Sequence, residues 1–314
     1  MRSSAEAAPL FETPDAPIPT GGAAEWFVGA GGARLRAALF RPDGQSRGSI
    51  VVSPGRTEPI EKYFEVVRRL TTDGFTVLVH DWRGHGVSFR LSDRGGDARG
   101  WRDFVADYAA LLAAFEARLP KPWIALGHSM GGCLTLLALA QGEARFSGAL
   151  LSAPMLGLPT GQIPPRVARL MAKSLTLVGM GSGLAVRESA AAEPFEANIL
   201  THDPARYRRN VEQVVAWPQL MVGPPTWGWL DFAFHATHEL ERGPGAPNIR
   251  IPLTVAAAGE ERIVDNTATE RVTARVPGAR FVAITGAYHE LMQETDEIQA
   301  AFWPEFAALV ARVG

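Results

Sequence analysis

The sequence predicts an α/β protein whose sheet is mostly parallel and whose core is interrupted once. Short apolar runs alternate with helical stretches along most of the 314 residues, a glycine-rich turn at 29–32 separates two strand-like segments, and the alternation stops between about residues 155 and 245. Strands that alternate with helices are usually parallel and joined by crossover helices. With 46% hydrophobic residues, a chain of this length has enough apolar side chains for a large buried core.

The chain up to residue 154 repeats strand and helix in order. Its strands are continuous apolar runs, which is typical of strands covered on both faces, and its helices carry apolar residues at helical spacing. The first two strands form a hairpin, which predicts an antiparallel edge. We expect strands at 25–28, 34–40, 49–53, 75–79, 122–126 and 148–151, and helices at 60–72, 101–119 and 130–141.

After residue 154 the pattern changes. Residues 155–245 are rich in proline, tryptophan, phenylalanine and histidine and carry few strand signals, with helical pieces expected at 166–177 and 205–216. The alternation then resumes with strands at 252–257 and 279–284 and a closing helix at 294–313. We therefore predict three parts, which are a flexible N-terminal arm at 1–23, a core at 24–154 and 246–314, and a helical cap inserted at 155–245.

Composition excludes several classes of protein. The 31 basic and 33 acidic residues give a formal net charge of −2, which argues against a nucleic-acid-binding protein. Cys133 is the only cysteine, so the chain can form no internal disulfide and no cysteine-based metal site. The sequence has no uncharged apolar stretch of roughly 18 residues, so we expect no membrane-spanning helix. Residues 1–22 lack the apolar run of a signal peptide. We expect a cytoplasmic protein and leave a peripheral membrane contact open.

The strongest chemical signal is Gly127-His128-Ser129-Met130-Gly131. It matches G-x-S-x-G and lies directly between a predicted strand and a predicted helix, which is the context of the nucleophile elbow in the α/β-hydrolase fold. Glycines on both sides allow the backbone to turn sharply. The helix that follows points its N-terminus at the site, where it favours developing negative charge. We predict that Ser129 is the nucleophile.

A serine nucleophile needs a base and an acid. In this fold the order along the chain is nucleophile, acid, histidine, and of the seven histidines His289 comes just after the last predicted strand. We therefore predict His289 as the base. Two carboxylates follow the strand at 252–257 and compete as the acid. Glu261 lies closer to the strand end, whereas Asp265 has the commoner side chain for the role.

The oxyanion hole requires two backbone N–H donors. One is expected from Met130, directly after the nucleophile, and the other from Arg56 in the loop that follows the strand at 49–53. The side chain of Arg56 either meets an anionic group of the substrate or pairs with Glu58 or Glu61.

Two motifs together resemble the lysophospholipase and monoacylglycerol lipase branch of the α/β-hydrolases, namely Gly-His-Ser-Met-Gly-Gly at 127–132 and Asp-Trp-Arg-Gly-His-Gly-Val-Ser at 81–88. The segments 55–65, 198–207 and 260–266 are similar to bacterial lysophospholipases of the inner-membrane-associated type, and the resemblance covers nearly the whole chain after about residue 25. It implies an eight-stranded core sheet, a helical cap after the sixth strand and hydrolysis of a single-chain acyl ester. This family often has aspartate where this chain has Glu261, so the acid stays open between the two carboxylates.

The cap carries many aromatic residues. Large aromatics are usually buried, so we expect most of them to form the cap's own core, while a subset lines an apolar pocket between cap and core. As pocket residues we predict Met155 and Leu156, which follow a core strand directly, together with Trp227 and Phe232.

These features predict a serine hydrolase that cleaves the carboxylic ester of a single-chain lipid, a lysophospholipid or a monoacylglycerol, through an acyl-enzyme. This chemistry needs no metal and no organic cofactor. The alternatives are a carboxylesterase, aminopeptidase or acyltransferase on the same fold, a cofactor-free haloperoxidase or lyase, and a catalytically silent binding protein. The loop at 81–88 is interpreted as structural, with Asp81 and Arg83 as an ion pair.

Overall fold

The apolar runs form one sheet of nine strands. The structure is a computed structural model that describes residues 6–92, 96–186 and 194–313. The strands are β1 (Ala7–Ala8), β2 (Gly22–Val28), β3 (Arg34–Phe40), β4 (Ser49–Ser53), β5 (Thr76–His80), β6 (Trp123–His128), β7 (Gly148–Ser152), β8 (Leu253–Ala258) and β9 (Arg280–Ile284). Their order across the sheet is β1-β2-β3-β5-β4-β6-β7-β8-β9. Neighbours are antiparallel from β1 to β5 and parallel from β5 to β9. The predicted α/β class and antiparallel edge are confirmed.

Helices cover both faces of the sheet. The helices outside the insertion are α1 (Phe64–Thr72), α2 (Trp101–Phe115), α3 (Ser129–Ala140), α7 (Asn266–Thr273) and α8 (Asp296–Val313). Successive residues of a strand point to opposite faces, and accordingly Val51 joins the apolar cluster that contains α2 and α3, whereas Ile50 and Val52 join the one that contains α1 and α8. The carboxyl ends of the parallel strands meet at one edge, and the loops that carry the predicted site residues leave from there.

The insertion between β7 and β8 contains three α-helices in its described part, which are α4 (Pro165–Leu175), α5 (Pro204–Ala216) and α6 (Trp227–Arg242). The first two lie close to their predicted ranges. The third is absent from the sequence prediction, although it begins at a clear N-cap, where the Thr226 hydroxyl accepts a hydrogen bond from the Trp229 N–H. It packs across α2 and α3 and so joins the cap to the core.

The described part of the N-terminal segment differs from the predicted flexible arm. Residues 7–8 pair with β2 as the ninth strand, one more than the family resemblance implied. The Phe11 N–H donates to Glu61, and the Arg36 guanidinium donates to the Pro9 carbonyl, so this segment lies against the core. A short run of alanine and proline gives no apolar period that would predict such docking. Residues 1–5 lie outside the described residues.

The loop at 81–88 is structural, but its predicted ion pair is wrong. The Asp81 carboxylate receives a hydrogen bond from Arg36 Nε at 2.8 Å, and Arg83 instead pairs with Asp107 at 2.5 Å. The guanidinium of Arg36 and the carboxylate of Asp81 are both fully buried. Each neutralises a charge on the other that would otherwise be costly to bury. In the part of the chain that the structure describes, no helix is long and apolar enough to span a bilayer.

Candidate active site

Ser129 lies at a sharp turn between β6 and α3. Its φ of 50° is in the left-handed region, which is strained for a residue other than glycine and typical of functional turns. The turn is allowed by the small neighbour Gly131, where an added Cβ would lie 2.1 Å from the Ser53 carbonyl oxygen. The elbow predicted from G-x-S-x-G therefore has the expected geometry, with its serine almost buried at 8% exposure.

His289 lies between Ser129 and a carboxylate. Its Nε2 is 2.9 Å from the Ser129 Oγ, and its Nδ1 is 2.8 Å from Glu261 Oε2. A carboxylate can only accept, so Nδ1 carries the proton and Nε2 is free to accept the serine proton. The loop after β9 that carries His289 is tied to the cap, because the next residue, Glu290, donates its N–H to the Leu200 carbonyl.

Of the two competing acids, the structure brings Glu261 and not Asp265 to His289. The other oxygen of Glu261 accepts backbone hydrogen bonds from Ile263 at 2.7 Å and Arg262 at 3.0 Å. Burial alone would raise the pKa of the Glu261 carboxyl, but the hydrogen bonds from His289 and the backbone hold it below its usual value. Asp265 caps α7 instead, since its Oδ1 accepts from the N–H of Thr267 and Ala268.

A cavity of about 220 Å³ opens over Ser129 between core and cap. Both predicted oxyanion donors, Met130 and Arg56, lie in its wall. Six apolar residues also line it, namely Met155, Leu158, Leu200, Trp229, Ile263 and Val264, together with the two carboxylates of Glu58 and Glu290.

Three of the predicted pocket residues do not line this cavity. Leu156 and Phe232 are buried in the apolar core, where Phe232 stacks on Phe104 at 4.9 Å. Trp227 begins α6 one half-turn from Trp229, which takes the position in the cavity wall. Without α6 as a helix, the sequence could not separate its inward residues from its outward ones.

A buried cluster of charges, formed by Glu58, Lys62 and Glu290, follows the loop that carries Arg56 and was not predicted. The Lys62 ammonium donates to Glu58 at 2.8 Å and to Glu290 at 2.5 Å, and the second Glu58 oxygen accepts from the Gly55 N–H and the Tyr63 hydroxyl. Glu58 therefore pairs with Lys62 and not with Arg56. The i,i+4 spacing of Glu58 and Lys62 was the one available sequence signal.

His128 in the elbow lies between this cluster and His289. Its Nδ1 donates to the Ser152 carbonyl at 3.0 Å, and its ring centre is 4.9 Å from that of His289. Burial lowers the pKa of His128 to about 4, so the ring is neutral at physiological pH. In the described residues, no group of three or more histidine, cysteine, aspartate or glutamate side chains is placed to hold a metal ion.

A serine on a strained elbow and a histidine oriented by a carboxylate at one cavity define a serine hydrolase of the α/β-hydrolase fold. The family model described as serine aminopeptidase, S33 (Hydrolase_4), matches residues 44–296. The chain belongs to this family.

Several relatives are similar over most of the chain. Lysophospholipase L2 of Escherichia coli (strain K12) is 33% identical over 288 residues, which cover 87% of this chain and 83% of that protein. The monoacylglycerol lipase of Mycolicibacterium smegmatis (strain ATCC 700084 / mc(2)155) is 26% identical over 277 residues, or 86% of this chain and 91% of that protein. The resemblance stated from the motifs is thereby confirmed, and the relatives support a carboxylic ester hydrolase.

A solved structure shares the fold at low sequence identity. A soluble variant of monoglyceride lipase from Saccharomyces cerevisiae, in complex with a substrate analog, matches with a TM-score of 0.73 and 17% identity over 94% of this chain and 98% of that chain. This likeness shows the α/β-hydrolase fold.

Proposed function

We propose that this protein hydrolyses the carboxylic ester of a single-chain lipid, a lysophospholipid or a monoacylglycerol, with Ser129, His289 and Glu261 as its triad. The observation that carries the proposal is the continuous hydrogen-bonded line from Ser129 Oγ through His289 to Glu261 at the base of an apolar cavity. The relatives named lysophospholipase and monoacylglycerol lipase favour this substrate class.

The reaction proceeds through an acyl-enzyme. Ser129 Oγ attacks the ester carbonyl carbon while His289 Nε2 takes its proton, and the Glu261 carboxylate stabilises the imidazolium that forms. The backbone N–H groups of Met130 and Arg56 bind the developing oxyanion. His289 then gives the proton to the departing alcohol, and a water molecule activated by the same histidine releases the fatty acid.

The apolar wall favours acyl esters over the peptides that the family description names. Side chains such as Met155, Leu158 and Trp229 offer surface to an alkyl chain. The two carboxylates of the wall, Glu58 and Glu290, are bound to the Lys62 ammonium and are not free to bind an amino terminus. Aminopeptidase, short-chain esterase and acyl transfer to an alcohol remain chemically open to the same triad, because each begins with the same attack by serine.

We further propose that the protein works in the cytoplasm and approaches a membrane surface through its cap. The residues Val167, Leu170 and Met171 of α4 are exposed, with Leu170 at 64%, and the next turn continues with Leu177 at 75%. The same helix carries three basic residues and no acidic one. An exposed apolar face beside basic side chains is the pattern that binds anionic lipid surfaces.

The activity is tested with a fluorophosphonate probe and a substrate panel. We expect wild-type protein to be labelled on Ser129, located by mass spectrometry, and the Ser129→Ala variant to lose the label. Ser152→Ala is the matched control, since Ser152 is a buried strand-end serine whose hydroxyl has no partner in the described residues. A panel of lysophospholipid, monoacylglycerol, short-chain ester and aminoacyl amide then identifies the substrate. Labelled protein that cleaves only the amide would refute the lipid proposal.

The membrane contact is tested by sedimentation with vesicles. We expect wild-type protein to bind vesicles containing 30% phosphatidylglycerol and Leu170→Ser/Leu177→Ser protein to bind them several-fold less. Val215→Ser is the control, because Val215 is an equally exposed residue of the cap outside this surface, at 70%. Equal binding by wild type and the double variant would refute the contact.

A further inference from the structure

Arg56 lines the active-site cavity, and its guanidinium makes no ion pair with any described carboxylate. Its Nη2 donates to the Gly223 carbonyl of the cap, its Cζ is 5.0 Å from the Trp229 ring centre, and its Nε is buried without a hydrogen-bond partner among the described residues. A guanidinium has five N–H donors, so most of its donor capacity is unused by the part of the chain that the structure describes.

The two carboxylates of the cavity wall are already bound to another cation. Glu58 and Glu290 share the Lys62 ammonium, whereas Arg56 feels Asp97 only at longer range. Burial lowers the pKa of Arg56 to about 10, which still leaves the side chain protonated at neutral pH. A partly buried charge without a counter-charge is unfavourable. An anionic group on the substrate would supply the counter-charge and use the free donors.

The position of this charge relative to the reacting ester fits one class of lipid. The Arg56 N–H is the proposed oxyanion donor, and six bonds along the same residue separate that nitrogen from Cζ. In a 1-acyl-glycero-3-phospholipid, six bonds likewise separate the ester carbonyl carbon from phosphorus. Each span is roughly 7 Å when extended. A lysophospholipid whose carbonyl oxygen is held by the Arg56 N–H and whose glycerol runs alongside the Arg56 side chain therefore brings its phosphate to the guanidinium.

We infer that the Arg56 guanidinium binds the phosphate of a lysophospholipid and makes this enzyme prefer phosphate-bearing single-chain lipids to uncharged monoacylglycerols. The inference rests on the proposed function and narrows its substrate class. Arginine suits the role because its planar fork binds two phosphate oxygens at once. Gly223 and Trp229 belong to the cap, so the head group would lie where cap and core meet.

The test compares two lipids with one acyl chain. Initial rates are measured on 1-lauroyl-lysophosphatidylcholine and 1-monolauroylglycerol, both below their critical micelle concentrations, and the ratio of their kcat/KM values is the readout. Lysophosphatidylcholine is zwitterionic, so long-range attraction does not mimic a phosphate contact. We expect this ratio to fall at least tenfold in Arg56→Gln, whose amide can still donate to Gly223, and to recover in part in Arg56→Lys, which restores the charge.

Arg90→Gln is the matched control, because Arg90 also donates to a cap carbonyl, that of Gln219, but does not line the cavity. Its ratio should equal that of wild type. Equal losses on both lipids in Arg56→Gln, or an unchanged ratio in both Arg56 variants, would overturn the inference and leave Arg56 as a clamp on the cap. Wild-type protein that is labelled by fluorophosphonate but cleaves neither lipid would instead refute the proposed function, and the inference with it.

Discussion

Replacing Lys62 with methionine should destabilise the protein far more than the loss of a surface lysine. The Lys62 ammonium lies between Glu58 and Glu290, and the three side chains are only 11%, 4% and 6% exposed. Breaking a buried ion pair by removing one partner costs about 3–5 kcal/mol, because the remaining charge is left without compensation. For a chain of 314 residues, that loss lowers Tm by about 5–8 °C.

The cost should also depend on pH, with a definite sign. In the wild type, burial alone would raise the pKa of Glu58, but Lys62 and its other partners hold it below its usual value. The stability that ionised Glu58 contributes is therefore fully present above the pKa that this carboxyl has in the unfolded chain. It is lost as the pH falls through the lower pKa of the same carboxyl in the folded protein. Without Lys62, burial dominates and the pKa of both carboxyls rises. Their protonated forms then become the stable ones, so the destabilisation is largest near pH 8 and shrinks toward pH 5.

The assay is urea unfolding of wild type and Lys62→Met at pH 8 and pH 5. Lys173→Met is the control, since Lys173 is exposed on α4 and has no ion pair in the described residues; it should change the free energy of unfolding by less than about 0.5 kcal/mol. Adding Glu290→Gln to Lys62→Met should restore part of the loss, because it removes one unpaired carboxylate. A cost below about 1 kcal/mol at pH 8, or an equal cost at both pH values, would refute this reasoning.

Three other outcomes follow from the site. Glu261→Gln should lower kcat about 10³-fold or more, because the amide no longer fixes the tautomer of His289; steady-state kinetics that show less than a tenfold loss would remove Glu261 from the triad. Asp265→Ala should cost about 1 kcal/mol of stability through the lost N-cap of α7 and change kcat less than twofold, which urea unfolding and the same assay check together. His128→Asn should leave the acidic limb of the kcat/KM–pH profile between pH 5 and 8 in place, because His128, with a pKa of about 4, is already neutral there; a shift of that limb would mean that His128 titrates with the reaction.

The core and the elbow that carries Ser129 could be predicted because their signals are local. An apolar run such as 49–53 has few alternatives to a buried strand, and the observed β4 has those bounds. The elbow combines a strand, two glycines and a helix within a dozen residues, so Ser129 needed no knowledge of distant contacts. His289 required only the order of elements along the chain, since parallel strands bring their carboxyl ends to the same edge.

The helix α6, the pocket residues of the cap and the charge cluster were not predicted, because their roles depend on contacts distant in sequence. The apolar residues of α6 do follow helical spacing, with Trp229, Phe232, Ala236 and Leu240 buried. The aromatic content of the segment indicated a pocket, but only the orientation of α6 across α2 decides that Trp229 lines the cavity over Ser129 while Phe232 stacks on Phe104. In the sequence, Glu290 likewise resembles an ordinary charged loop residue. Only the fold brings it to Lys62, which lies 228 positions earlier in the chain.

The choice between the two acids shows how chain position can outweigh residue type. Aspartate is the commoner triad acid, but Asp265 precedes α7 directly, and there its short side chain satisfies two N–H groups that the helix would otherwise leave unpaired. Glu261 comes three residues after β8, and its longer side chain can do two things at once. One oxygen accepts the N–H groups of the following turn while the other reaches His289 at 2.8 Å. Because the hydrogen bonds of that turn fix the carboxylate, the extra methylene of glutamate lengthens the side chain without making it more mobile. The carboxylate that orients His289 is therefore itself held in place by the backbone.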